Sequence, residues 1–225
     1  MAKLPPGNFI AGLPTDLSAG LFCKGPPTRL TAGQLLFSEG DPGDGCYRID
    51  AGLVKVTTMS LAGSERILAI LGAGSIVGEL STIDEAPRTA TVMALRDSEL
   101  SFVSRVKFFE FADRHPDVYK YLMRLLARRL RETDGVIAAS SFLSVKGRLA
   151  RTMLTLADAF GKEVGAGRIV IRQRLSQSDL AAMSGTAREN VNRILNEWQS
   201  EGVVRRIAGF YCLECPAALN EVSRL

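Results

Sequence analysis

Gly78-Glu79-Leu80-Ser81, followed a few residues on by Pro87-Arg88-Thr89-Ala90-Thr91-Val92, sets a carboxylate and a guanidinium at opposite ends of a short loop dense with turn and cap residues. The pair suits a small cyclic phosphate. Arginine meets a phosphate anion with two parallel N–H groups, and a carboxylate accepts the hydrogen bond of a free ribose hydroxyl. Arg88 and Glu79 supply those groups. The small residues Gly78 and Ser81, with Leu80 between them, let the backbone N–H groups of a helical turn come close to the phosphate. The competing reading is a surface Glu–Arg ion pair beside a turn.

The residues around this loop have a strand rhythm. From Leu30 to Val103, the β-rich runs Leu35-Leu36-Phe37, Tyr47-Arg48-Ile49, Leu53-Val54-Lys55-Val56 and Ile67-Leu68-Ala69-Ile70 alternate with glycines at 33, 40, 43, 52, 63, 72 and 74. Short strands between glycine turns predict a small antiparallel roll, with the loop as its one helical insertion. After Pro116 the period lengthens. Val118, Leu122, Leu126, Leu130, Thr133 and Ile137 recur every three or four residues, which predicts one apolar stripe on a helix of roughly 25 residues, about 38 Å long. One small roll cannot cover such a helix, so the stripe calls for a second copy of the chain in a two-fold dimer. The alternative is a stripe packed on its own roll.

Past Phe142 a second domain begins. Phe142 to Arg148 reads as a hinge with a new helix start, Leu149 to Phe160 as a helix, and Ile169-Val170-Ile171 as a strand after a turn at residues 161–167. Ser176-Gln177-Ser178-Asp179 and Thr186-Ala187-Arg188-Glu189 are both capping-box patterns, separated by the Ser184-Gly185 turn, and together they predict a helix-turn-helix. On the second helix Val191, Ile194, Leu195 and Trp198 share one face, while Arg188, Glu189, Asn192 and Arg193 share another. The polar face suits a DNA major groove, where arginine binds guanine and glutamate accepts from cytosine. The residues around Ala208-Gly209 form a hairpin, the wing. The expected organisation is α+β: a roll over 1–114, a long helix over 115–142 and a winged helix-turn-helix over 143–225.

Composition agrees with this division. With 225 residues, 46% of them hydrophobic, the chain can fill two modest cores. Residues 1–142 hold 16 basic and 16 acidic side chains and residues 143–225 hold 12 and 8, so the net charge of +4 falls in the last third, where nucleic acid is expected. Met1 to Gly20 lacks the continuous apolar run of a signal peptide and no stretch is long enough to span a bilayer, so the expected place is the cytoplasm, with no membrane partner. Cys23, Cys46, Cys212 and Cys215 do not make a disulfide framework and read as free thiols. One histidine, no phosphate-binding loop and no metal-ligand cluster argue against an enzyme. His115, before Pro116, reads as a surface or capping residue. Two thiols in the first half are too few for an iron–sulfur cluster, and the pair Cys212 and Cys215 lacks a second half for zinc.

The loop at 78–92 resembles the phosphate-binding cassette of cyclic-nucleotide-binding domains. The whole arrangement, a roll (double-stranded β-helix or jelly roll) with its cassette, a long dimerisation helix and a winged helix-turn-helix, resembles the cAMP receptor protein/FNR superfamily of bacterial transcription regulators over nearly the full chain. The resemblance implies a homodimer on double-stranded DNA that works with RNA polymerase under an allosteric cyclic nucleotide. Arg188, Glu189 and Arg193 match the base-reading residues of the cAMP receptor protein branch, implying an inverted repeat with TGTGA-like half-sites. Ser176, Gln177, Thr186 and Asn192 complete the expected DNA contacts. Gln177 departs from the branch, which has a phosphate-contacting arginine there.

In that branch the long helix offers a Thr and a Ser to the base, matched here by Thr133 and Asp134, with Arg129 one turn earlier. A carboxylate accepts two hydrogen bonds from guanine, and Thr89 resembles the threonine of cGMP-binding cassettes. The expected ligand is therefore a cyclic purine mononucleotide, cGMP ahead of cAMP. Gly135 suggests a helix end that frays until ligand orders it, because glycine inside a helix costs about 0.8–1.0 kcal/mol relative to alanine. A binding adaptor without DNA activity, or a regulator with a vestigial pocket, remains the competing class.

Overall fold

The computed structural model describes residues 15–22 and 25–224. The expectations for the leading residues and for Cys23 lie outside them. The chain forms two compact units, one taking in the described residues through Arg131 and the other beginning at Glu132.

The first unit runs α1 (Thr15–Leu21), β1 (Thr28–Leu30), β2 (Leu35–Phe37), β3 (Gly45–Met59), β4 (Glu65–Gly72), β5 (Ile76–Val77), α2 (Glu79–Asp84), β6 (Thr91–Ser104), α3 (Arg105–Arg114) and the first part of α4 (Asp117–Phe142). Its strands pair in the order β1-β6-β3-β4, with β2 also on β6 and β5 on β3, and every pairing is antiparallel. The expected roll is present, with α2 as its helical insertion. Alternation along β3 and β6 drives Ile49, Val54, Val92 and Leu100 into one core with Leu30 and Leu71. Cys46 and Val103, paired across the same two strands, enter a second core with Ile76, Phe108, Ala112 and Val118.

Two expectations change here. Gly52 is not a turn between two strands but lies within the single fifteen-residue strand β3. The register to β6 slips on either side of Ala51 and Leu53. Gly52 has φ +94 and a Cβ there would stand 2.2 Å from Ser98 Oγ, so this glycine makes a bulge that bends the strand and lets β6 pass close by. Secondly, the apolar residues of α4 form two faces rather than one stripe. Val118 and Leu125 are buried and Tyr121 and Leu122 pack beside Val118 on the roll, whereas Met123, Leu130 and Ile137 are exposed at 62%, 64% and 59%. His115 caps the C-terminal end of α3, its N–H donating to the carbonyls of Phe111 and Ala112, and its ring lies 4.4 Å from that of Phe111.

The second unit continues with α5 (Val145–Phe160), β7 (Gly161–Glu163), β8 (Ile169–Ile171), α6 (Gln177–Ser184), α7 (Arg188–Ser200), β9 (Val204–Ile207), β10 (Phe210–Leu213) and α8 (Pro216–Val222). The sheet order is β7-β8-β10-β9. The expected turn at 161–167 thus contains a short strand. Ser144 caps α5 by accepting from Gly147 N, which fixes the new helix start that the sequence suggested. The described α4 is helical through Gly135 to Phe142. A Cβ at Gly135 would lie 3.2 Å from the Arg151 guanidinium, so the glycine gives that side chain room.

Only one of the two expected capping boxes forms. Ser176 Oγ accepts from Asp179 N at 3.0 Å and Asp179 returns the bond to Ser176 N at 2.8 Å. For α7 the N-cap is Ala187, without a side-chain cap. The helix begins a residue later than the Thr186 pattern implies, and the Thr186 hydroxyl accepts from Asn190 Nδ2 at 3.1 Å instead. Ser176→Ala should therefore cost about 1 kcal/mol, whereas Thr186→Ala should cost less than about 0.5 kcal/mol. Urea unfolding of the two variants checks this, and equal losses would contradict the cap assignment.

Candidate functional site

Arg88 leaves the cassette just before β6 and turns into the protein, where it is 4% exposed. Its Nη1 donates to the carbonyls of Gly45 and Gly78 at 2.7 and 2.8 Å and to Ser81 Oγ at 2.8 Å. Nη2 donates to Asp44 Oδ1 at 3.0 Å. The guanidinium carbon lies 4.3 Å from the centre of the Phe37 ring, and Nε is buried without a hydrogen-bond partner. Two backbone bonds hold the cassette to the turn before β3, from Gly40 N to Arg88 O and from Arg88 N to Asp41 O, each 2.8 Å.

Gly78 makes this closeness possible. It has the left-handed φ of +81, and a Cβ there would stand 2.5 Å from Arg88 Nη1. Its carbonyl also accepts from Ser81 and Thr82, closing the first turn of α2.

Glu79 starts that turn and is 2% exposed. Its carboxylate forms an ion pair with Arg129, one turn beyond the face of α4 that packs on the roll. Glu79 is thus not the surface partner of Arg88: it is buried, and one of its carboxylate oxygens pairs with Arg129. Burial raises its carboxyl above the ordinary value of 4.5, and Arg129 and Arg88 oppose that rise.

A cleft opens above these residues and encloses, with its open mouth, about 300 Å³. Gly78, Glu79, Leu80, Ser81, Arg88, Thr89 and Arg129 all line it, together with the apolar Phe37, Val56, Val77, Ala90 and Val92. Thr133 and Asp134 are not among the lining residues and are exposed on α4. Asp44 and Phe37 are the functional positions that the sequence reading missed. The clustered glycines around Asp44 signalled a turn, and nothing local marked its carboxylate as the partner of a residue far along the chain.

In the second unit, α6 and α7 meet at Gly185, whose φ of 64 and ψ of 50 close the first helix. Arg148 of α5 fastens this corner, donating to the carbonyls of Ser184 and Leu143 at 3.0 Å and of Gly185 at 3.3 Å. Sequence periodicity gave no sign of that role. On α7 Val191, Ile194, Leu195 and Trp198 are buried, while Arg188, Glu189, Asn192 and Arg193 are exposed, as the sequence predicts. Gln177 Nε2 donates to Asn192 Oδ1 at 3.1 Å, so the first residue of α6 is tied to the polar face of α7. The hairpin of β9 and β10 turns through Ala208 and Gly209 at φ 49 and 86, the two positive values that a two-residue hairpin loop requires. Cys46 and Cys212 are buried and Cys215 is exposed, all three as free thiols. Burial pushes the Cys46 and Cys212 thiols up, away from the reactive thiolate.

Residues 27–115 match the cyclic nucleotide-binding domain family and residues 147–222 match the Crp-like helix-turn-helix domain family. The chain is 36% identical over 191 residues to the cyclic AMP receptor protein of Thermus thermophilus, covering 85% of each. It is 33% identical over 198 residues to the CRP-like cAMP-activated global transcriptional regulator of Mycobacterium tuberculosis, covering 88% of each. A solved CRP/FNR-family transcriptional regulator from Thermus thermophilus superposes with a TM-score of 0.73 at 25% identity, over 88% of this chain and 98% of that one. A cyclic-nucleotide-binding roll and a helix-turn-helix on one chain define a DNA-binding transcription regulator. The chain belongs to the CRP/FNR family.

Two variants probe the buried charges. Arg88→Ala strips acceptors at Gly45, Gly78 and Ser81 of their donor and should destabilise the roll by about 2–4 kcal/mol; an unchanged denaturation midpoint would show that the cation is not structural. For Glu79 the raised pKa means that the folded chain binds the proton more tightly than the unfolded chain. Stability from this group is therefore present below about 4.5 and is lost as pH rises through the folded value. Glu79→Gln should flatten that fall when midpoints are compared across pH, and an unchanged slope would refute the assignment.

Proposed function

We propose that the chain is a homodimeric transcription regulator whose affinity for an inverted repeat with TGTGA-like half-sites is raised by a cyclic purine mononucleotide. The observation that carries this reading is the buried Arg88 in a cleft that Arg129 of the long helix also lines. A cyclic phosphate entering beside Arg88 meets a fixed cation, and its ribose lies within the influence of the Glu79–Arg129 pair, so occupancy is felt by α4. Met123, Leu130 and Ile137 recur at intervals of seven on the exposed side of that helix, the pattern that a second copy of the same helix would cover. The exposure of Arg188, Glu189 and Arg193 on α7 supports their reading the half-site, and DNA sets the separation of the two reading helices at about 34 Å. Such a regulator works in the cytoplasm beside RNA polymerase.

The relatives named above carry cAMP in their names, which favours adenine. Asp134 favours guanine, since its carboxylate can accept from guanine N1–H and the 2-amino group together. Calorimetric titration of the full chain with both nucleotides should give saturable binding, with cGMP the tighter, and Asp134→Ser should weaken cGMP roughly tenfold. Tighter binding of cAMP by the wild type would overturn the guanine preference. A gel shift on a palindromic TGTGA duplex should show increased affinity with saturating nucleotide, and an unmoved affinity would overturn the regulatory reading.

A further inference from the structure

Asp44 stands on the edge of Arg88 that a phosphate needs. A guanidinium presents two-pronged edges, and one of them joins Nε–H to the neighbouring N–H of Nη2. In Arg88 the rest of the group is committed to the protein: Nη1 donates to Gly45 O, Gly78 O and Ser81 Oγ. What remains is Nε, buried without a partner, and Nη2, which holds the Asp44 carboxylate at 3.0 Å. The edge suited to two phosphate oxygens is therefore half taken by a resident anion.

We propose that Asp44 is an affinity-setting residue: its carboxylate occupies Arg88 as a surrogate for the phosphate and must swing away before the cyclic phosphate can bind. The inference rests on the nucleotide reading of this cleft. Two features make the exchange feasible. The Arg88 side chain is 3% exposed but that of Asp44 is 72% exposed, so the displaced carboxylate moves into water and pays little desolvation cost. The backbone around it is also pinned. Asp44 O accepts from Arg105 N at 3.0 Å, Gly45 O accepts from Arg88, and a Cβ on Gly43 would stand 2.3 Å from that of Ser81. Displacement thus needs only rotation of one short side chain.

The same geometry keeps the test clean. Three acceptors and the Phe37 ring hold the Arg88 guanidinium whether or not Asp44 is charged. Removing the carboxylate should leave the cation in place and bare its phosphate-facing edge. An exposed carboxylate competes only modestly with a phosphate that takes both prongs.

The experiment titrates the full chain with cAMP and with cGMP by calorimetry, comparing wild type with Asp44→Asn and Asp44→Glu, and following each by denaturant unfolding. Asp44→Asn should lower the Kd of the tighter nucleotide by about three- to tenfold, and Asp44→Glu, which keeps a carboxylate at the edge, should stay within about twofold of wild type. If wild type binds nucleotide and a folded Asp44→Asn binds it no better, or more weakly, the competition is refuted while the nucleotide reading stands. If no form binds either nucleotide, both readings fall together.

Discussion

A positive charge sealed inside a protein must find enough acceptors to replace water, and Arg88 finds them in separate segments of the chain. The turn before β3 gives Gly45 and Asp44, the start of α2 gives Gly78 and Ser81, and β2 gives the ring of Phe37. The three segments are separated along the chain. The guanidinium therefore acts as the joint at which the helical insertion is locked to the roll. The demand also explains Gly78, since any Cβ there would collide with the cation it serves.

How far the sequence reveals this depends on the range of each interaction. The cassette, the roll and the reading helix were legible because their signals are local: glycine spacing, strand alternation and the split of apolar and polar positions on α7. Ser176 and Asp179 were readable as a reciprocal cap because both partners lie within one turn. The Thr186 pattern has the same composition, yet Ala187 takes the cap, since backbone dihedrals at the tight turn decide which residue starts the helix. Gly52 fails for a similar reason: a glycine between two apolar runs marks a turn or a bulge equally well, and only the passage of Ser98 decides. Asp44, Arg148 and the Glu79–Arg129 pair were hidden because their partners are distant in sequence.

Helix α4 shows a different kind of ambiguity. Apolar residues at intervals of three and four establish a helix but do not say how many surfaces it touches. Val118 and Leu125 serve the roll, and Arg129 ends that face with a charge directed to Glu79. Met123, Leu130 and Ile137 serve something else. The packed face thus closes on an ion pair rather than on another leucine.

The seven-residue spacing of Met123, Leu130 and Ile137 carries a geometric debt. At 3.6 residues per turn a straight helix falls behind such a repeat by about 20° in each heptad, so these side chains drift by about 40° around the axis from the first to the last. Two such helices stay in register along the seam only by coiling about each other with a left hand. In the dimer proposed above, the hand of that crossing follows from the repeat itself.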